Sequence, residues 1–134
     1  TRKDFMGNHE WCFYCWREGA AHYFNPEINN ATDVWVVKKV NPQQMIHLTE
    51  KPVELAIRAM TYSSRPGENV LDLFGGSGST LIGAEKTGRR AFLMELDTLY
   101  TDVIVKRWEE FTGKKAERIP APAPAAPIAE EAKP

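Results

Sequence analysis

The residues best suited to chemistry form a glycine-rich stretch in the middle of the chain. The sequence VLDLFGGSGSTL, residues 70–81, passes from an apolar run into three glycines and two serines: Gly75, Gly76, Ser77, Gly78 and Ser79. Glycines let another molecule approach the backbone, and the first N–H groups of a following helix can bind it. We call residues 74–78 the glycine turn; it predicts a ligand site, with a tight turn that binds nothing as the alternative.

The glycine turn lacks the features of a phosphate-binding loop. Such a loop requires a lysine directly after its last glycine, whereas Gly78 is followed by Ser79 and Thr80. The dinucleotide pattern GxGxxG is met at Gly76 and Gly78, but its third position holds Leu81. The match is therefore partial, because the third glycine normally allows the helix to pack closely on the strand over the pyrophosphate.

An acidic residue after the turn favours a ligand that carries a ribose. Glu95 ends the next predicted strand, 19 positions after Gly76. A carboxylate there can accept two hydrogen bonds from ribose hydroxyls, and NAD, FAD and S-adenosylmethionine all present such a ribose. A solvated charge at a strand end is the alternative interpretation of Glu95.

The elements that must position these residues follow the order strand, helix, strand, helix. Strands are predicted at residues 69–74 and 90–95, because short apolar runs are bounded there by turn residues. The helix between them, residues 79–87, is expected to have Ser77 or Ser79 as its N-cap and Gly88 at its end. The last helix is expected over 98–112, with Thr98 as a candidate cap and Gly113 at its end. This order predicts a βαβ unit with parallel strands.

The segment before these elements is rich in aromatic residues. Residues 9–16 and 33–38 predict strands, and the tryptophans Trp11, Trp16 and Trp35 are expected in the core. A further helix is predicted to begin at Pro52 as its first residue.

Two cysteines and two histidines in the aromatic segment raise the question of a metal site. His9, Cys12, Cys15 and His22 contain the CxxC spacing of zinc ligands. In a strand, however, Cys12 and Cys15 would point to opposite faces, which suits chelation badly. No metal site is predicted.

Composition sets the remaining limits. The 134 residues suit one modest domain, and the net charge of −1 favours no class of partner. No apolar run is long enough for a membrane span, and two cysteines indicate no disulfide framework, so a reducing cytoplasm is expected. Residues 116–134, rich in proline and alanine, predict a disordered tail.

Several motifs in order resemble the amino-methyltransferases of DNA, which make N6-methyladenine or N4-methylcytosine. HLTEKP (residues 47–52), FxGxG (residues 74–78) and MELD (residues 94–97) follow one another as in that family. The resemblance covers residues 1–115 and implies a partial Rossmann-like, S-adenosylmethionine-dependent methyltransferase fold. That fold is an α/β class with three α/β/α layers and a mostly parallel sheet.

The resemblance also implies roles for individual residues. The glycine turn would shape the pocket for the methionine and adenosine parts of S-adenosylmethionine, Asp72 would order the loop or accept from the ligand, and Glu95 would hold the ribose. HLTEKP would close over the methionine end, where Thr49 and Lys51 can donate to a carboxylate. The expected cofactor-binding residues are His47, Thr49, Lys51, Asp72, Phe74, Gly75, Gly76, Gly78 and Glu95.

The family's catalytic Pro-Pro-aromatic motif is missing from this sequence, in which no two prolines are adjacent. In the subclass whose FxGxG segment comes second, that motif lies upstream, so residues 1–115 are expected to be the C-terminal portion of a methyltransferase domain, inactive alone. His9 and Glu10 are candidates for the target-base pocket, with a structural role as the alternative. The expected partners are double-stranded DNA and the N-terminal catalytic half of the same protein, with a homodimer as a further candidate.

The sequence departs from the family pattern at two positions, and two other functions remain as alternatives. Leu48 replaces the proline of HPTxKP, and Thr98 replaces the proline common after ELD. The other functions are an NAD- or FAD-binding oxidoreductase fragment with an imperfect turn, and a non-catalytic DNA-associated module. The motifs do not distinguish adenine from cytosine as the target.

Overall fold

Among the described residues of the computed structural model, the α-helices and strands all lie between residues 53 and 112. The structure describes residues 4, 7–41, 43 and 50–120. Its elements are α1 (Val53–Ser63), β1 (Asn69–Asp72), α2 (Ser79–Thr87), β2 (Arg90–Leu93) and α3 (Thr98–Thr112). The predicted order of strand, helix, strand, helix from residue 69 onward is confirmed.

The two strands form a parallel pair, as the βαβ prediction requires. Asn69 lies opposite Arg90 and Asp72 opposite Leu93. Each strand is two residues shorter than expected. The reason on β1 is local: the Asp72 carboxylate accepts from the Phe74 N–H at 3.0 Å, so the backbone turns there instead of continuing the ladder.

One face of this small sheet is covered by α2, which packs against β2 and is itself in contact with α1 and α3. Residues alternate along both strands, and the opposite face exposes Leu71 and Phe92, which are 67% and 54% accessible. Among the described residues, the sheet and one helical layer are therefore present, and the layer expected on the second face is not among them.

The core lies between the three helices. Its buried apolar residues are Met60, Ile82, Ala84 and Ile104, drawn from all three helices. α1 and α2 approach closely because α2 carries a glycine at the contact. A Cβ added at Gly83 would lie 3.1 Å from the Ala56 Cβ.

The helix ends only partly follow the predictions. Gly88 and Gly113 end α2 and α3 in the left-handed conformation, as expected. Pro52 is the N-cap of α1 rather than its first residue. The N-cap of α3 is Asp97, whose carboxylate accepts from the Leu99 N–H at 2.8 Å, so the suggestion of Thr98 is wrong.

The serine cap predicted for α2 is also wrong. Its N-cap is Gly78, and no side chain caps the helix. The serine hydroxyls have other partners instead: Ser79 Oγ donates to the distant Lys51 carbonyl at 2.7 Å, and Ser77 Oγ lies 3.2 Å from Ser79 Oγ.

The aromatic N-terminal segment contains no strand within residues 7–41, so the strands predicted at 9–16 and 33–38 are wrong. A strand needs a paired neighbour, and in the described part of the chain β1 and β2 pair only with each other. Trp11 and Trp16 are exposed, contrary to the core prediction, whereas Trp35 is partly buried against Tyr62 of α1.

The end of the predicted tail lies outside the described residues. Residues 116–120 have no helix or strand, and the Ala116 N–H donates to Glu109 at 2.8 Å. The prediction of disorder over 116–134 falls mainly on residues 121–134, which the structure does not describe. None of the described helices has the length and apolarity needed to cross a bilayer.

Candidate functional site

The glycine turn lies at the carboxyl edge of the parallel sheet, between β1 and α2. Gly76 and Gly78 adopt φ angles of 53° and 79°, in the left-handed region. The Gly78 N–H donates to the Gly75 carbonyl at 2.8 Å and closes the turn. Residues with a side chain are strained at such φ angles, so the turn depends on glycine at both positions.

The three glycines have different neighbours. A Cβ at Gly75 would lie 3.0 Å from Ile104 Cδ1, and one at Gly78 would lie 3.2 Å from Ile104 Cγ2. These two glycines therefore allow α3 to pack against the turn. A Cβ at Gly76 would meet only the Phe74 carbonyl, at 3.8 Å, so Gly76 presents open space to a ligand.

Glu95 is joined to the turn by a direct hydrogen bond. The Gly76 N–H donates to Oε2 at 2.7 Å, and the Asp97 N–H donates to Oε1 at 3.0 Å. The parallel register brings the ends of both strands to the same edge, which places this carboxylate beside the turn. A carboxylate has about four acceptor sites, and these two backbone N–H groups occupy one on each oxygen.

Asp72 and Phe74 shape the entrance to the turn. The bond from the Phe74 N–H to Asp72 orders the loop, which is one of the two roles expected for Asp72. The Phe74 ring is 86% exposed beside Gly75. An aromatic ring held in water at this position offers an apolar surface to a ligand or to another part of the protein.

A backbone contact holds Lys51 next to the glycine turn. Its carbonyl accepts from Ser79 Oγ at the start of α2, and its Nζ forms an ion pair with the Glu10 carboxylate. The structure thus links a predicted cofactor residue with a predicted base-pocket residue. The Lys51 ammonium holds the pKa of Glu10 below its ordinary value, first by the hydrogen bond and then by its charge.

The remaining sequence candidates are placed as follows. His9 is exposed and its ring lies edge-on to Trp11, with centroids 5.6 Å apart. His47 and Thr49 lie outside the described residues. Cys12 and Cys15 are exposed free thiols, and no group of three potential metal ligands occurs among the residues that the structure describes.

Sequence reasoning missed a buried ion pair behind the turn. Arg107 Nη1 lies 2.9 Å from Glu50 Oε1, and it donates to the Ser77 carbonyl at 2.9 Å and to Ser77 Oγ at 3.1 Å. One signal was available in the sequence. Arg107 falls three positions after Ile104 and directly before Trp108, at the border of the apolar face of α3.

Comparison with known proteins points to one family. The sequence matches the model of an N6/N4 DNA methylase family over residues 5–106, which include the glycine turn and Glu95. It is 35% identical over 100 residues to the type II methyltransferase M2.DpnII of Streptococcus pneumoniae, covering 67% of this chain and 37% of that protein. Identity to M1.MboII of Moraxella bovis, also a type II methyltransferase, is 33% over 94 residues, or 64% and 36% of the two chains.

A solved structure shares the fold. The crystal structure of the M1.HpyAVI–SAM complex superposes with a TM-score of 0.60 at 25% identity, covering 67% of this chain and 45% of that one. The chain therefore spans little more than a third of the length of the curated relatives named above.

The ion pair between Lys51 and Glu10 gives a prediction about pH. The lowered pKa means that the pair is fully present above the ordinary pKa of a glutamate and is lost as the pH falls through the lower value of the folded chain. Lys51→Met should raise the pKa of Glu10 toward its ordinary value, as followed by a ¹³C NMR titration of the side-chain carboxyl. Lys39→Met is the matched control, because Lys39 contributes the least to the lowering. An identical Glu10 midpoint in wild type and Lys51→Met would contradict the assignment.

Proposed function

The chain belongs to the N6/N4 DNA methylase family, and from that membership we propose that it is the cofactor-binding half of an S-adenosylmethionine-dependent DNA methyltransferase. Its fold is part of the Rossmann-like α/β fold of these enzymes. The reaction proposed for the whole protein is methyl transfer to an exocyclic base amine, adenine N6 or cytosine N4. Support comes from the relatives, which are named type II methyltransferases.

The observation that carries the proposal is the 2.7 Å hydrogen bond between the Gly76 N–H and Glu95. It places a carboxylate beside a backbone turn whose Gly76 side is open. A ribose diol donates two hydrogen bonds, which suits Glu95, and the open turn suits the adenosine and thioether parts. Residues 74–81 contain no lysine or arginine, which agrees with a ligand that has a ribose and no phosphate.

Lys51 is proposed to bind the amino-acid end of the cofactor. Its carbonyl is anchored on Ser79, and its ammonium is already in a carboxylate contact with Glu10. A methionine carboxylate carries the same charge and geometry as that glutamate and could take its place. His47 and Thr49 are proposed for the same end of the ligand on the family resemblance alone.

When bound, S-adenosylmethionine supplies an electrophilic methyl group on its sulfonium. The proposed role of this chain is to hold that donor, while double-stranded DNA supplies a base that is flipped out of the helix. Direct transfer depends mainly on positioning, so the chain needs the Pro-Pro-aromatic motif from elsewhere in the protein to act. His9 and Glu10 are proposed to lie near the base.

We further propose that the N-terminal catalytic half of the same protein covers the bare face of the sheet. Leu71 and Phe92 lie side by side there, and Leu73 and Met94 continue the same alternation in exposed positions. A contiguous exposed apolar patch of this kind marks an interaction surface. The relatives are nearly three times as long as the matched region, which leaves ample chain for the missing layer.

Removing the Glu95 carboxylate should weaken binding of S-adenosylhomocysteine to the full chain by at least about tenfold, because each hydrogen bond to a charged group contributes about 1.5–3 kcal/mol. Calorimetry would compare wild type with Glu95→Ala, and Glu117→Ala serves as the control because Glu117 is an exposed carboxylate beyond α3. Unchanged affinity in Glu95→Ala would contradict the ribose role. In a parallel titration, binding of NADH without binding of S-adenosylhomocysteine would favour the oxidoreductase alternative.

The bare sheet face should make the isolated chain associate with itself. Sedimentation velocity at rising concentrations is expected to show association for wild type and a monomer for the double variant Leu71→Lys, Phe92→Lys, because two charges interrupt the apolar patch. Phe13→Lys is the control, since Phe13 is at least as exposed but lies in the N-terminal segment. A wild-type chain that stays monomeric, or association that Phe13→Lys also abolishes, would count against this interface.

A further inference from the structure

The ion pair between Glu50 and Arg107 is buried directly behind the glycine turn. The Glu50 side chain is 5% exposed and that of Arg107 is 21% exposed. A single guanidinium nitrogen, Nη1, contacts the carboxylate, the Ser77 carbonyl and the Ser77 hydroxyl. By contrast, the ion pairs that the described residues Lys51, Arg58, Arg65, Lys106 and Lys115 form each have at least one partner that is more than half exposed.

Polar contacts around this pair close a ring between two distant segments. Arg107 joins Glu50 to Ser77, Ser77 Oγ lies beside Ser79 Oγ, and Ser79 Oγ donates to the carbonyl of Lys51. Lys51 is the next residue after Glu50, so the ring returns to its start. It ties the segment before α1 to the turn and to the start of α2, through contacts at two consecutive residues, Glu50 and Lys51.

Stability alone is a weak reason for such a pair. Two charges lose their hydration when they are buried, and an apolar pair of similar volume often stabilises a fold as well or better. A charged, hydrogen-bonded contact differs from an apolar one in that it fixes direction, because the donors of the guanidinium must face their acceptors. Directional control matters here because Lys51 and the turn are separated in sequence by more than twenty residues.

We infer that Arg107 is a positioning residue, which holds the segment carrying Lys51 in register with the glycine turn so that one ligand can contact both. The identity of that ligand rests on the proposed function, whereas the coupling of the two segments does not. Glu95 reaches Gly76 without Arg107, and Ile104 packs on Gly75 and Gly78 independently. Loss of Arg107 should therefore release the Lys51 side of the site and spare the Glu95 side.

The coupling is tested without any ligand, by amide hydrogen exchange on the full chain. In Arg107→Met, we expect exchange at least about tenfold faster at the amides of Gly78 and Leu55, which donate to the Gly75 and Pro52 carbonyls, because the buried Glu50 loses its contact with Arg107. The Arg89 and Met94 amides, which donate to Ala84 and Asp72, should keep their rates. Lys106→Met is the matched control, because Lys106 is the adjacent, exposed residue of α3 and pairs only with Glu110 in the described contacts.

Two milder variants keep the test decisive if Arg107→Met does not fold. Arg107→Lys retains the charge on a shorter stem and should lie between wild type and Arg107→Met, and Glu50→Gln retains an acceptor and should do the same. Unchanged exchange at the turn in these variants, or acceleration that is uniform along the chain, would overturn the inference.

The ligand measurement separates this inference from the proposed function. Calorimetry would compare S-adenosylhomocysteine with 5′-methylthioadenosine, which has the ribose but lacks the amino-acid end. Arg107→Met should bind S-adenosylhomocysteine about tenfold more weakly, while 5′-methylthioadenosine should change by less than about twofold. Equal losses for both ligands would contradict a positioning role. Failure of wild type to bind either ligand would contradict the proposed function and leave the exchange result to decide on Arg107.

Discussion

The hydrogen bond from the Gly76 N–H to the Glu95 carboxylate depends on the parallel pairing of β1 and β2, and the candidate site depends on that bond. Parallel strands end at the same edge, so a turn after the first strand and an acidic residue after the second must meet. Gly76 can take part because it adopts a left-handed φ with open space beside it. The same edge receives α3, since Gly75 and Gly78 leave room for Ile104.

The two faces of the very small sheet have different surroundings. Two four-residue strands cannot be stable alone, and the helices α1 and α3, which pack on α2 and thereby extend the layer on the sheet, supply with it the buried core. The other face remains apolar and exposed around Leu71 and Phe92. The chain spans little more than a third of the length of the relatives named above, and the proposed partner for that face is the N-terminal catalytic half.

Local patterns predicted the parts of this fold that local interactions determine. The bounds of α3 and the glycine ends of α2 and α3 follow from helical periodicity and from left-handed glycines. Long-range contacts account for the errors: Ser79 is bonded to Lys51 instead of capping α2, and the aromatic segment lacks a strand to pair with. Likewise, the spacing of Glu95 from the turn could be read directly, whereas the contact of Arg107 with Glu50 joins residues that no short motif connects.

The most direct test of the central claim is a two-dimensional ¹H–¹⁵N NMR titration of the full chain with S-adenosylhomocysteine. We predict saturable shifts of the Gly76 and Gly78 amides that disappear in Glu95→Ala, because the ribose and the turn share one pocket. NADH should not shift the resonances of these two amides. Shifts of Gly76 and Gly78 with NADH, or none with S-adenosylhomocysteine in a chain whose spectrum is that of a folded protein, would contradict the account.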